Sequence, residues 1–183
     1  MALRVYGNRR LRTLEGLATR PTPGRVREAL FNIWRDKIEG CHWLDLCTGI
    51  GSLGAEALLR GAQSVVGIEL AGAAVRVIEE NWQRCAQEGQ SFEIIRGDVV
   101  QGIHRLRQKE LTFDCIYFDP PYQSDLYEPV LNSIAPLLKP QGELVAEHLP
   151  RRRLPEIIGG LSQVEQRVYG HTSLSFYQLR DVD

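Results

Sequence analysis

Phe113-Asp114-Cys115-Ile116-Tyr117-Phe118 is a short apolar run rich in β-formers, and it stops abruptly at Asp119-Pro120-Pro121-Tyr122. Neither proline has an N–H or a free φ, and Pro121 pushes Pro120 toward extended backbone, so the run ends in a stiff corner. Such a corner gathers three groups at a strand's carboxyl edge: the Asp119 carboxylate, the Pro120 carbonyl and the Tyr122 ring. Two acceptors and an aromatic face suit a planar group that carries an NH2. The amine would donate to Asp119 and to the Pro120 carbonyl, with Tyr122 stacked on the ring. By themselves these four residues could equally form a polar turn with a surface tyrosine. The residues before them decide between the two.

Upstream, His42-Trp43-Leu44-Asp45-Leu46-Cys47 reads as a buried strand running into Thr48-Gly49-Ile50-Gly51-Ser52-Leu53-Gly54 and then a helix. Glycines at Gly49 and Gly51 permit a tight turn and close backbone approach to a ligand at a helix N-terminus. A glycine loop of this spacing could also serve a nicotinamide cofactor. Asp45 favours another choice, because a carboxylate inside the strand end suits a cofactor bearing an ammonium group, and a pyrophosphate would gain nothing from it. Ser64 to Glu69 is a second strand that ends on an acid about 20 positions past the glycines, the usual place for binding ribose hydroxyls. Phe92 to Asp98 is a third, with Asp98 placed to accept from an adenine amino group and the Val99 N–H to donate to the ring. Four successive strands thus end on Asp45, Glu69, Asp98 and Asp119. Any one of them alone would be read as a helix cap or a solvated loop residue.

The elements that must position these groups follow from the rest of the pattern. Thr22-Pro23 reads as a helix start, with Thr22 as N-cap, Pro23 at the first helical position and Gly40 as the stop. A helix from about Gly72 to Cys85 and another from about Leu126 to Leu138 separate the later strands. Glu143 to Glu147 is a fifth strand, and Ser162 to Tyr169 with Ser173 to Arg180 a closing hairpin. The expected fold class is therefore α/β: a doubly wound, Rossmann-like, mostly parallel seven-stranded sheet with an antiparallel C-terminal hairpin. A chain of 183 residues suits one domain over 1–183, with a basic arm and helix at 1–40 and the catalytic core at 41–183.

Composition bounds the function. At 43% hydrophobic and 25% charged residues the chain is neither disordered nor a membrane span, and no apolar signal core opens it. The four cysteines have no paired spacing, which suits reduced thiols in a cytoplasmic protein. The net charge is −1, but the sign is uneven along the chain. Before Glu28 stand Arg4, Arg9, Arg10, Arg12, Arg20, Arg25 and Arg27 against Glu15 alone. A basic arm on a neutral body fits a phosphate backbone, and Arg20, Arg25 and Arg27 lie near a helix start where they could meet phosphates or an acidic substrate. Arg151-Arg152-Arg153 is either a solvated run or a second phosphate contact.

Taken together, these motifs resemble the class I S-adenosylmethionine-dependent methyltransferases, and more narrowly the bacterial 16S rRNA guanine-N2 methyltransferases. The resemblance spans nearly the whole chain. Its most specific stretch is Arg20-Pro21-Thr22-Pro23-Gly24-Arg25-Val26-Arg27-Glu28-Ala29-Leu30-Phe31-Asn32, followed by Leu44 to Gly54, Asp119 to Tyr122, Tyr169-Gly170 and Tyr177-Gln178. The arm around Arg4 to Arg10 is poorer in glycine than the family's, and Cys47-Thr48 stands where an aromatic-Ala pair is commoner. The resemblance implies that Asp45, Gly49, Gly51, Glu69 and Asp98 bind S-adenosylmethionine and that Asp119, Pro120 and Tyr122 hold the base. It also implies 16S rRNA or a small-subunit particle as partner, contacted by Arg9, Arg10, Arg20, Arg25 and Arg27. No metal and no membrane are expected, and a cytoplasmic monomer is. Other readings stay open: adenine-N6 or another exocyclic amine of nucleic acid, and more remotely a nicotinamide-dependent oxidoreductase or a non-enzymatic ribosome assembly factor.

Overall fold

The arginine-rich start folds as a small antiparallel hairpin of β1 (Leu3–Val5) and β2 (Arg9–Leu11), turned at Gly7 and Asn8 in left-handed backbone. The computed structural model describes residues 3–14 and 22–180. Helix α1 (Gly24–Ile33) breaks at Trp34 and resumes as α2 (Arg35–Ile38). The expected helix start is shifted by one: Pro23 is the cap residue, it caps nothing with a side chain, and Thr22 turns elsewhere.

Five apolar runs then alternate with helices. They are β3 (His42–Leu46), α3 (Ser52–Leu59), β4 (Ser64–Glu69), α4 (Gly72–Cys85), β5 (Ser91–Arg96), α5 (Val99–Gln108), β6 (Phe113–Phe118), α6 (Tyr127–Ser133) and β7 (Leu138–His148). β7 begins five residues earlier than expected, because Lys139 to Gly142 loop out opposite Asp114. That irregularity keeps Pro140 out of the ladder, where its missing N–H would leave a gap. The chain closes with β8 (Ile157–Ile158), β9 (Leu161–Tyr169) and β10 (Thr172–Leu179).

All but the first two strands make one sheet in the order β5-β4-β3-β6-β7-β10-β9-β8. Among the described residues the sheet therefore has eight strands, not seven. The extra one is the two-residue β8, folded onto β9 by Gly159-Gly160, both in left-handed backbone. β3 to β7 are parallel and β10, β9 and β8 antiparallel.

Strand periodicity sorts the core into two halves. Trp43, Cys115, Tyr117 and Val145 join α1, α3 and α4 in one apolar cluster. Leu44, Leu46, Ile116, Phe118, Leu144 and Ala146 join α5 and α6 in the other. The chain winds from β3 outward to β5 and returns to the other side of β3 with β6. The carboxyl ends of β3 and β6 thus form the switch point at which open α/β sheets bind ligands.

Candidate active site

Register decides which acids meet. Asp45 on β3 pairs with Tyr117 on β6, and Tyr117 pairs with Val145 on β7. Two residues on, past the ends of these ladders, come Asp119 and Glu147. A period of two puts Asp45, Tyr117, Asp119 and Glu147 on the same side of the sheet.

At the end of β3 the chain turns out sharply. Cys47 takes φ +62, a left-handed backbone for a residue with a side chain, which is the kind of strain found at functional sites. The Thr48 hydroxyl donates to the Asp45 carbonyl at 2.9 Å, with the Ile68 carbonyl also in reach at 3.1 Å. Gly49, at φ +63, has open space where a Cβ would stand, and its N–H donates to Glu69 Oε2 at 2.8 Å. The other Glu69 oxygen accepts from the Ala71 N–H at 2.8 Å. Asp45 Oδ2 accepts from the Gly54 N–H at 3.2 Å. Asp98 caps α5, its Oδ1 accepting from Val100 and Gln101, which leaves Oδ2 for a ligand. Val99 begins that helix, where an N–H has no partner within the helix.

These groups open into one cavity of about 510 Å³. Small-molecule sites run from roughly 300 to 1,000 Å³. Asp45, Gly49, Glu69, Asp98, Val99, Asp119, Pro120 and Tyr122 all line it. Gly51, expected to touch cofactor, is not among the residues that line the cavity. A Cβ there would stand 2.6 Å from Trp82 Nε1, and the Gly51 carbonyl accepts from that same nitrogen at 2.8 Å. Its glycine serves the packing of α3 against α4.

The arginines divide. Arg9, Arg10 and Arg25 are exposed, and Arg20 lies outside the described residues. Arg27 is a correction to the expected RNA contacts. It is 7% exposed, with Nε donating to Glu56 at 2.7 Å and a terminal nitrogen to the Arg4 carbonyl at 2.7 Å. It joins α1 to α3 and holds the hairpin, so it has no face for phosphate. The sequence carried the signal, since Arg27, Leu30, Phe31 and Trp34 stand at the spacing of one helix face. Of the later arginines, Arg152 lies over the Tyr127 ring at 4.5 Å and donates to the Tyr122 carbonyl at 3.3 Å, which braces the loop after the corner.

Four residues at the site carry no such role in the sequence reading. Thr22 is buried and donates weakly to Asp119 Oδ2 at 3.4 Å. Cys47 and Tyr117 line the cavity. Glu147 lies just behind it, 1% exposed, accepting from the hydroxyls of Tyr117 and Tyr122.

The electrostatics are one-sided. Burial raises the Asp45 carboxyl well above its ordinary range, against the Gly54 N–H, and Glu69 adds to the rise. Burial raises Asp119 likewise, then Glu147 and Asp45 push it further while Thr22 pulls the other way. Glu147 is raised by burial and held down in part by its two tyrosines and Thr22. Among the described residues no lysine, arginine or histidine forms an ion pair with any of the three. A site built this way favours a cationic ligand, which lets the acids ionise at less cost. Among the described residues there is also no cluster of His, Cys, Asp and Glu suited to a metal, and no helix long and apolar enough to cross a membrane.

Residues 4–178 match the family model described as "Conserved hypothetical protein 95". The Bacillus subtilis (strain 168) protein named "Putative rRNA methyltransferase YlbH" is 31% identical over 174 residues, covering 94% of this chain and 94% of that protein. "Ribosomal RNA small subunit methyltransferase D" of Haemophilus influenzae is 30% identical over 145 residues, covering 78% of this chain and 75% of that one. Among solved structures, "Putative methyltransferase yhhF" from Escherichia coli superposes with a TM-score of 0.82 at 27% identity, covering 98% of both chains.

Proposed function

We propose that this chain, which belongs to the Conserved hypothetical protein 95 family, is an S-adenosylmethionine-dependent methyltransferase that modifies the exocyclic N2 amine of a guanine in 16S rRNA. The kinship with rRNA methyltransferases supports the coarser reading. One observation carries the finer one: the Asp119-Pro120-Pro121-Tyr122 corner and the glycine loop open into the same acid-lined cavity.

The residues fit the cofactor chemically. Asp45, buried and without a cationic partner among the described residues, would take its ammonium group. Glu69 would accept from the ribose hydroxyls, since a carboxylate that already accepts two N–H bonds still has lone pairs to offer. Asp98 Oδ2 and the Val99 N–H would meet the adenine edge. Bound there, S-adenosylmethionine supplies an electrophilic methyl on a cationic sulfur.

The protein's own part is to aim the amine. A guanine N2 lone pair is delocalised into the ring, which makes it a poor nucleophile. Asp119 and the Pro120 carbonyl, by accepting its two hydrogens, would localise that pair and point it at the methyl group. Asp119 can take the proton released. The leaving thioether is neutral, so no general acid is required, and positioning supplies most of the acceleration. A base inside structured RNA must leave its stack to reach the corner, and the Tyr122 ring would hold it there. Arg9, Arg10 and Arg25, all exposed, would meet the backbone on either side.

The test is methyl transfer to small-subunit particles and to free 16S rRNA, with the product nucleoside identified by mass spectrometry. N2-methylguanosine is expected. N6-methyladenosine would move the reading to the adenine alternative, and binding of NADH with no response to S-adenosylmethionine would remove it altogether.

A further inference from the structure

Glu147 is the last residue but one of β7, beside the corner, and three tyrosine hydroxyls converge on it. Tyr117 donates to Oε2, Tyr122 to Oε1 at 3.0 Å, and Tyr127 to the backbone carbonyl at 2.8 Å. Tyr117 precedes Asp119 by two residues and Tyr122 follows it by three. One carboxylate therefore clamps the chain on both sides of the residue expected to hold the base. The clamp is at 1% exposure and outside the cavity, so it does not itself touch a ligand.

We propose that Glu147 is a positioning residue for methyl transfer: it fixes the Tyr122 ring and the Asp119 carboxylate in one arrangement and adds a negative charge behind them. This rests on the reading that the corner holds the target amine. A purely structural tie between strands would use a neutral side chain at less cost, because a buried carboxylate must be desolvated and, among the described residues, has no cation paired with it here. What the charge adds is a raised affinity for protons and donors at Asp119, the group the mechanism needs as an acceptor. The groups facing this pair are Thr22 ahead of α1, Asp45 from β3, Cys47 just beyond it, Tyr117 from β6, Tyr122 from the corner, Tyr127 from α6 and, over Tyr127, Arg152.

The sign of the pH effect follows. Asp119 must be a carboxylate to accept, so activity falls as pH drops through its pKa. Glu147 raises that pKa, and removing its charge should carry the acid limb of the rate profile to lower pH. Glu147→Gln keeps the volume and lets each tyrosine hydroxyl keep a partner. Its kcat should fall about tenfold, the effect of weakening one charge-assisted hydrogen bond in the transition state, with the acid limb displaced downward and cofactor affinity unchanged. Tyr122→Phe keeps the stacking ring and loses the hydroxyl's ties to Glu147 and Thr172, so its kcat should fall several-fold with the fold intact. It also stands in if Glu147→Gln does not fold.

Methylation of 16S rRNA by each full-length variant, over a pH series and beside a melting curve, reads these effects. Glu147→Gln with a wild-type kcat and an unmoved acid limb would overturn the proposal. So would a loss in that variant tracking only a lower melting temperature, joined to a wild-type Tyr122→Phe. The product nucleoside, read in the same assay, tests the guanine assignment separately, because the ratio of variant to wild type holds for whichever base is modified.

Discussion

Asp119 sits where stability and function pull apart. Its carboxylate is half-buried and strongly desolvated, with one long hydrogen bond from Thr22 and two acids nearby, so ionising it without a further donor is expensive. Asn at this position removes that expense while keeping size and one acceptor. Its NH2 can face the substrate amine, and it loses the charge that makes a hydrogen bond from a donor roughly twice as strong as a neutral one. Asp119→Asn should therefore lower methyl transfer by about 1–3 kcal/mol, or about 5- to 160-fold. It should leave the melting temperature unchanged or higher, and cofactor affinity unchanged, because in the proposed reading Asp45, Glu69 and Asp98 would hold that ligand. Single-turnover methylation alongside thermal unfolding and cofactor titration separates the three. Wild-type turnover by Asp119→Ala would reduce the corner to a structural turn.

At the scale of elements, one indole sets the spacing of a strand and two helices. Trp82 on α4 lies where Cβ atoms on Gly51, Gly54 and Gly67 would stand, at 2.6, 2.3 and 2.6 Å from its ring. The glycine pattern that reads as a ligand loop in the sequence is thus partly a packing device, and only Gly49 faces the open cavity. Gly54→Ala should destabilise by about 1–3 kcal/mol through overpacking, with little effect on the cavity wall. Gly49→Ala has room but a left-handed backbone, so its main effect should fall on cofactor affinity. Thermal unfolding and calorimetric titration of the two variants test this, and a Gly54→Ala protein as stable as wild type would contradict it. The same elements mark what a sequence can carry. Strand ends and their acids are legible because each apolar run stops at one. Glu147 is not, because its importance depends on which strand lies beside β6, and β7 reaches that place only through a register that no local pattern encodes. The short β8 escapes for another reason: two isoleucines before Gly159-Gly160 are too brief a run to read as a strand, though the glycine pair is a turn signal.

The whole molecule has an acidic cavity and a basic hairpin, and the two are rigidly joined. Val5 and Leu11 of the hairpin are buried in the core beneath α1 and α3. Asn81, fully buried, accepts from the Arg12 N–H at 2.8 Å and donates to the Arg12 carbonyl at 3.1 Å and the Ile50 carbonyl at 2.9 Å, which links the arm to the glycine loop. Arg27 holds the Arg4 carbonyl from below. On the hairpin Arg4 stands directly opposite Arg10, a like-charge pair that disfavours pairing until an anion lies across it. RNA backbone would supply that anion at a set distance from the cavity. If so, Arg9→Ala with Arg10→Ala should weaken RNA binding and lower the slope of log affinity against log salt by about 0.7 to 0.9 for each phosphate no longer neutralised. Cofactor affinity should not change. Arg27→Ala should behave oppositely, since it leaves the buried Glu56 with only Arg60: a loss in stability of up to about 3–5 kcal/mol, the cost of a fully uncompensated buried charge, and no specific change in the slope under conditions where the variant stays folded. Binding measured over a salt series for both variants distinguishes a contact surface from its anchor. A slope unchanged by removing Arg9 and Arg10 would return those residues to solvent and place the RNA path elsewhere.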